Sequence, residues 1–273
     1  MRVRLLVLIL LGIIVIFAGL FSVYYYRHGN QDQYDEYIIK YSMMKDNPEL
    51  NPVDPAIVKA IISLRTNFRA RIAGNEGEMG LMFVPKDGAE KFKDFHGEKD
   101  FVLTDAENNK DFGLVCPNRV FPTHTNKLEV FSRAVRKPCP VCQARVIEAL
   151  LDPEINIKVG AWYLAYLNSY LHENIEDISE TQALDFSLII FNSGLAPILA
   201  DIETQLAEKF QDKMKEPGMT VPEDVVLLYM KSYMEKALQS ENLMREIQSI
   251  KKRAEKFRPG LENKARKMGI KLP

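Results

Sequence analysis

The spacing of apolar residues reads as helix along most of the chain. Ile57, Ala60, Ile61 and Leu64 recur at i, i+3, i+4 and i+7, the stripe a helix makes when one face turns toward a core. Asp54 precedes them as a cap, and Pro55 takes the first helical position, where its missing N–H is no loss. Asp152 and Pro153 open a second helix in the same way, with Ile157, Gly160, Ala161, Leu164, Leu167 and Leu171 on its stripe. A third is predicted from Thr181 to Phe191, interrupted at Asn192-Ser193-Gly194. A long last helix is predicted over residues 222–258, with Thr220 and Glu223 as a capping box and Pro259-Gly260 as its stop. Met230, Tyr233, Ala237, Met244, Ile247 and Ala254 form its stripe, too irregular in spacing for a coiled coil.

Two stretches break this rhythm. Leu5 to Val23 run without a charge, about the length that crosses a hydrocarbon core. Arg2 and Arg4 precede the run, while Tyr24, Tyr25, Tyr26 and Arg27 follow it, as expected at a membrane interface. Residues 5–26 are therefore expected to be an uncleaved transmembrane signal anchor, since no small-x-small cleavage site fits well, although a cleaved signal peptide is the alternative. Residues 1–4 would be the cytoplasmic end and residues 27–52 a juxtamembrane linker or short helix. The second stretch, residues 86–150, is rich in Gly, Pro, Asn and charge, and holds all three cysteines. It is expected to be an irregular insertion, with Phe101–Leu103 and Gly113–Val115 as its only β-prone pieces.

In a chain of 273 residues this leaves one sizeable domain over residues 53–273. A net charge of −1, with both signs spread along the sequence, gives no argument for nucleic-acid binding, so no such partner is expected.

Four segments carry a resemblance. Asp54-Pro55, then Ala60-Ile61-Ile62-Ser63-Leu64-Arg65-Thr66-Asn67-Phe68, is similar to D-P-x-x-V-x-A-I-I-x-x-E-S-x-F, the opening helix of soluble lytic transglycosylases of the goose-type-lysozyme kind. Gly77-Glu78-Met79-Gly80-Leu81-Met82 resembles the second motif of that family, G-x-x-G-L-M-Q, with Phe83 in place of glutamine. Asp152-Pro153 through Asn156, Ile157, Gly160, Tyr163 and Leu164 resembles D-P-x-x-N-I-x-x-G-x-x-Y-L, and Phe191-Asn192-Ser193-Gly194 stands where the family has Y-N-A-G. The motifs occur in order over about residues 53 to 200. The resemblance implies an all-α, lysozyme-like domain with a groove for peptidoglycan glycan strands, lined by Met82, Phe83, Tyr163, Phe191 and Asn192. The N-terminal anchor, with Arg2, Arg4 and the amino terminus inside against Arg27 outside, leads to the expectation of a single-pass protein of the cytoplasmic membrane with its bulk facing the periplasm or cell exterior. There the resemblance would have it meet glycan or envelope proteins in cell-wall processes.

The chemistry of that family needs one carboxyl that protonates a glycosidic oxygen and then, as a base, helps close a 1,6-anhydro sugar. Here the position holds Arg65. A guanidinium has no acceptor and keeps its protons, so it can neither give nor take one. Phe83 and Phe191 remove further polar groups, and the chain is expected to be a pseudoenzyme. The alternative is an active transglycosylase with a displaced acid such as Glu78. A carboxylate pressed against Arg65 would be held ionised, and Arg65 is expected to pair with Glu76 or Glu78.

The resemblance implies no cofactor. Cys116 and Cys139-Pro140-Val141-Cys142 leave three readings open: a disulfide from Cys116 to one of the other two, a zinc site completed by His124 or His96, or free or intermolecular thiols. Trp162 is expected to serve packing, and His28 and His172 to be interfacial or solvated.

Overall fold

The computed structural model describes Phe17, Gly19 and residues 31–72, 78–97, 103–104, 146–209 and 223–272. The architecture of these residues is all-α apart from one two-residue ladder. Eight helices follow in order: α1 Asp35–Ser42, α2 Pro55–Arg65, α3 Lys86–His96, α4 Pro153–Asn174, α5 Glu180–Ser193, α6 Leu195–Lys209, α7 Glu223–Ala237 and α8 Glu241–Lys267. The ladder joins β1 Leu103–Thr104 to β2 Val146–Ile147 antiparallel, and a 3-10 turn at Glu148–Leu151 leads from it into α4.

The caps predicted at Asp54 and Asp152 form, while Thr220 of the predicted capping box lies outside the described residues. Asp54 accepts the Ala56 N–H at 2.8 Å and Asp152 the Ile155 N–H at 3.0 Å, each ahead of a first-turn proline. The helix expected from Thr181 begins slightly earlier, where Ser179 and Gln182 form a capping box, and it ends at Gly194 with φ 83°. Within α2 every residue from Pro55 to Ser63 is buried, so the helix is sheathed on all sides rather than on one stripe. α1 and α8 cover it, α4 packs against α5, α1 and α3, and α6 packs against α7. Lys59, in the middle of α2, is tolerated there because Asp32 and Asp35 lie 2.6 and 2.7 Å from its ammonium.

Three expectations are corrected. Within the stretch drawn as a juxtamembrane linker or short helix over residues 27–52, the short helix forms as α1, but its Ile38 and Ile39 are fully buried, so it belongs to the packed body and not to a linker. The insertion drawn as irregular from residue 86 opens with α3, which sets Ala89 and Phe92 into the core and Phe92 edge-on to Trp162 at 5.3 Å. The single helix over residues 222–258 is two helices, broken between Ala237 and Glu241, and the second runs through Pro259-Gly260 to Lys267. Pro259 is accommodated because it sits on the exposed side of α8, while the buried stripe Ile247, Ile250, Ala254, Leu261 and Ala265 continues past it.

Residues 5–26 lie outside the described residues except for Phe17 and Gly19, both helical. Among the described residues no single helix is long and apolar enough to cross a membrane. Only α5 with Pro197–Leu206 passes on composition, as a pair bent by 99°.

Candidate functional site

Arg65 closes α2, and its guanidinium is held by Glu246 of α8 at 2.6 Å. Burial pushes the guanidinium down from its usual range, while the charges of Glu246 and then Glu78 push it back up. The expected partners were Glu76 and Glu78. Glu76 lies outside the described residues, and Glu78 contributes its charge, but the ion pair itself comes from the far end of the sequence. Two further contacts continue this seam: Arg253 donates to Ser63 Oγ at 2.7 Å, and Arg258 meets Asp54 at 2.5 Å. The order of the pairs sets α8 antiparallel to α2.

Next to Arg65, the Thr66 hydroxyl lies 3.0 Å from the Ile62 carbonyl and 2.7 Å from that of Leu81. Leu81 sits in a tight loop closed by reciprocal backbone bonds between Met79 and Val84, of 3.0 and 2.9 Å. Asn156, fully buried in the first turns of α4, staples this loop with its whole amide. Its Nδ2 donates to Met79 O and Leu150 O, both at 2.9 Å, and its Oδ1 accepts the Met82 N–H at 2.7 Å. Gly80 is required beneath it: φ is +71°, and an added Cβ would lie 2.1 Å from both Asn156 Nδ2 and Leu150 O. Gly160, one turn along α4, leaves room for Met82, whose Sδ would lie 2.4 Å from a Cβ there.

Tyr163, another residue singled out in the sequence, donates its hydroxyl to Asp87 Oδ2 at 2.9 Å. The same oxygen accepts the Leu195 N–H at 2.6 Å, just past the break, which falls at Gly194 because Asn192 and Ser193 still belong to α5. Burial first, then the Asp87 charge, pushes the Tyr163 hydroxyl far above its usual range. Asp87 was missed in the sequence because no motif contains it. Its only advance signal is its place in the first turn of α3, and its partners are distant in sequence.

The segments singled out by resemblance thus meet in space through Thr66, Asn156 and Tyr163. Of the residues expected to line a groove, Met82 and Tyr163 are fully buried and Phe191 nearly so, its ring 5.9 Å from that of Tyr163. Phe83 and Asn192 are half-buried, Phe83 with a left-handed φ of 58°. Trp162 is buried, stacked on Tyr166 at 5.3 Å, and serves packing as expected. Cys116, His124, Cys139 and Cys142 lie outside the described residues. Among the described residues no cluster of His, Cys, Asp and Glu could hold a metal. His96 packs against Phe92, Phe95 and Trp162, and His172 lies 3.5 Å from Glu180.

A cleft of about 440 Å³ opens at the other end of α2, where Asp54, Ile57, Leu164, Leu184 and Arg258 form walls and rim. Ser187 and Asn168 also line it, and Ser187 Oγ and Asn168 Oδ1 are buried without hydrogen-bond partners among the described residues.

No protein-family model, curated protein or solved structure matches the chain.

Proposed function

We propose that the chain is a catalytically silent relative of the lytic transglycosylases, lysozyme-like in fold and anchored in the cytoplasmic membrane by residues 5–26. Its bulk faces the periplasm or cell exterior, where it binds peptidoglycan glycan or an envelope protein in cell-wall processes. The observation that carries the reading is the pair between Arg65 and Glu246. The position where the resemblance calls for a proton-shuttling carboxyl is filled by a cation that cannot shuttle protons and that is tied to α8. The Thr66–Leu81 and Asn156–Met82 hydrogen bonds and the Tyr163–Phe191 ring contact support the shared fold, since they join the resembling segments to one another.

A second reading keeps catalysis with a displaced acid. Glu246, and not only Glu78, now stands beside the guanidinium. A general acid must reach the glycosidic oxygen, and Glu246 is instead engaged by Arg65 at 2.6 Å.

The deciding experiment incubates the full chain in detergent with purified peptidoglycan sacculi, measuring co-sedimentation and the release of 1,6-anhydro-muropeptides by mass spectrometry. Co-sedimentation without release is expected. Release that disappears in Glu78→Gln or Glu246→Gln would replace the first reading with the second. Failure to co-sediment would remove glycan as the ligand.

A further inference from the structure

The outer face of α8 is far more basic than the rest of the chain. The helix is 27 residues long, about 40 Å at the usual rise. Its apolar stripe, from Ile247 to Ala265, is buried against α2 and α1. The opposite side exposes Lys252, Lys256, Arg266 and Lys267, and Lys271 follows just beyond the helix. None of these five has a carboxylate in ion-pair range among the described residues, whereas Lys251, Arg258 and Lys264 are engaged by Asp185, Asp54 and Glu36. Between Arg245 and Lys271 the acidic residues are Glu246, already committed to Arg65, and Glu255 and Glu262. In a chain of net charge −1 this is a concentrated positive ridge.

The ridge also lies near the point where the packed body begins. Glu36 reaches Lys264 at 3.4 Å and Asp32 reaches Lys59 at 2.6 Å, so the start of the packed body abuts the C-terminal half of α8. From Val23, the end of the uncharged run, the chain to Asp32 can span at most about 30 Å. If that run lies in a bilayer, the ridge is held within reach of its surface.

We propose that the exposed face of α8 docks on an anionic lipid surface and thereby orients the domain against the membrane that anchors it; the orientation rests on the anchored reading above. The physical basis is the attraction of lysine and arginine to acidic headgroups, which falls off within a Debye length and is screened by salt. Because the apolar side of α8 is already buried, the helix lies on the headgroups without inserting.

The test uses the full chain reconstituted in nanodiscs of phosphatidylcholine alone or of equal parts phosphatidylcholine and phosphatidylglycerol. Lysine acylation by a water-soluble reagent is followed by peptide mass spectrometry. The expected result is slower acylation of Lys252, Lys256 and Lys267 in the anionic discs, with the difference abolished by high salt and Lys91 and Lys93 of α3 unchanged. The double variant Lys252→Glu, Lys256→Glu should weaken the slowing at Lys267 by at least about fivefold, the effect of a single basic residue at such a surface. Equal acylation in both discs, with the chain still co-eluting with them, overturns the docking and leaves the anchor standing. Co-elution with the anionic discs alone keeps the basic face and removes the anchor. Protection by duplex DNA but not by anionic discs overturns the lipid in favour of nucleic acid.

Discussion

Arg65 and Glu246 lie 2.6 Å apart across the seam between α2 and α8, with side chains 19% and 29% exposed. At that burial, removing one partner leaves a charge only partly reached by water. The cost then falls between that of a surface pair and that of a fully buried one. Arg65→Glu is therefore expected to destabilise the fold by about 2 kcal/mol, since it sets two carboxylates against each other. The swap Arg65→Glu with Glu246→Arg should recover at least half of the loss. Chemical denaturation of the four members of the cycle checks this, and additive losses would show that the two side chains do not interact.

Gly80 and Gly97 both have positive φ, 71° and 64°, but only Gly80 is enclosed. A Cβ at Gly80 would lie 2.1 Å from Leu150 O and Asn156 Nδ2, so alanine there must displace the staple that holds the loop. Gly80→Ala is expected to cost more than about 3 kcal/mol, against about 1 kcal/mol for Gly97→Ala, where only the left-handed backbone is penalised. Thermal unfolding of the two variants should separate them clearly, and similar midpoints would mean the loop does not pack on Asn156 as described.

Much of this framework was legible in the sequence for local reasons. Asp54-Pro55 and Asp152-Pro153 announce their helices because cap and first turn are adjacent in the chain. Glycine at position 80 and asparagine at 156 were marked through a resemblance, and their contact explains why they accompany each other. Pairings across long separations were not legible. Nothing near Arg65 points to Glu246, and nothing near Tyr163 points to Asp87, because such pairs are set by how helices cross. Pro259 misled for a related reason. A proline ends a helix when judged locally, but on an exposed face, with Leu261 and Ala265 still to be buried, continuation wins.

Asp87 receives the Tyr163 hydroxyl at 2.9 Å and the Leu195 N–H at 2.6 Å on the same oxygen. Tyr163→Phe removes one donor and leaves the carboxylate with its backbone partners, so a loss of about 1–2 kcal/mol is expected. Asp87→Ala strands a buried hydroxyl and the first N–H of α6 together, and should cost clearly more. Denaturation midpoints that rank the variants the other way would show that the hydroxyl, not the carboxylate, holds the junction.

Asp35 gives the fold a pH signature of definite sign. Burial raises its carboxyl above the ordinary 3.8, and the hydrogen bond and charge of Lys59 lower it without fully offsetting that rise; Asp32 adds to the rise and Lys264 opposes it. A carboxyl whose folded-state value is raised contributes stability that is complete below its unfolded value and is lost as pH climbs through the folded one. In Asp35→Asn the group cannot ionise, so its share of the pH dependence vanishes. The stability of the natural chain minus that of Asp35→Asn is therefore expected to fall as pH is raised from about 3 to about 7. Unfolding free energies measured across that interval decide the matter. A difference that grows with pH would mean that the 2.7 Å contact with Lys59 outweighs the burial of Asp35.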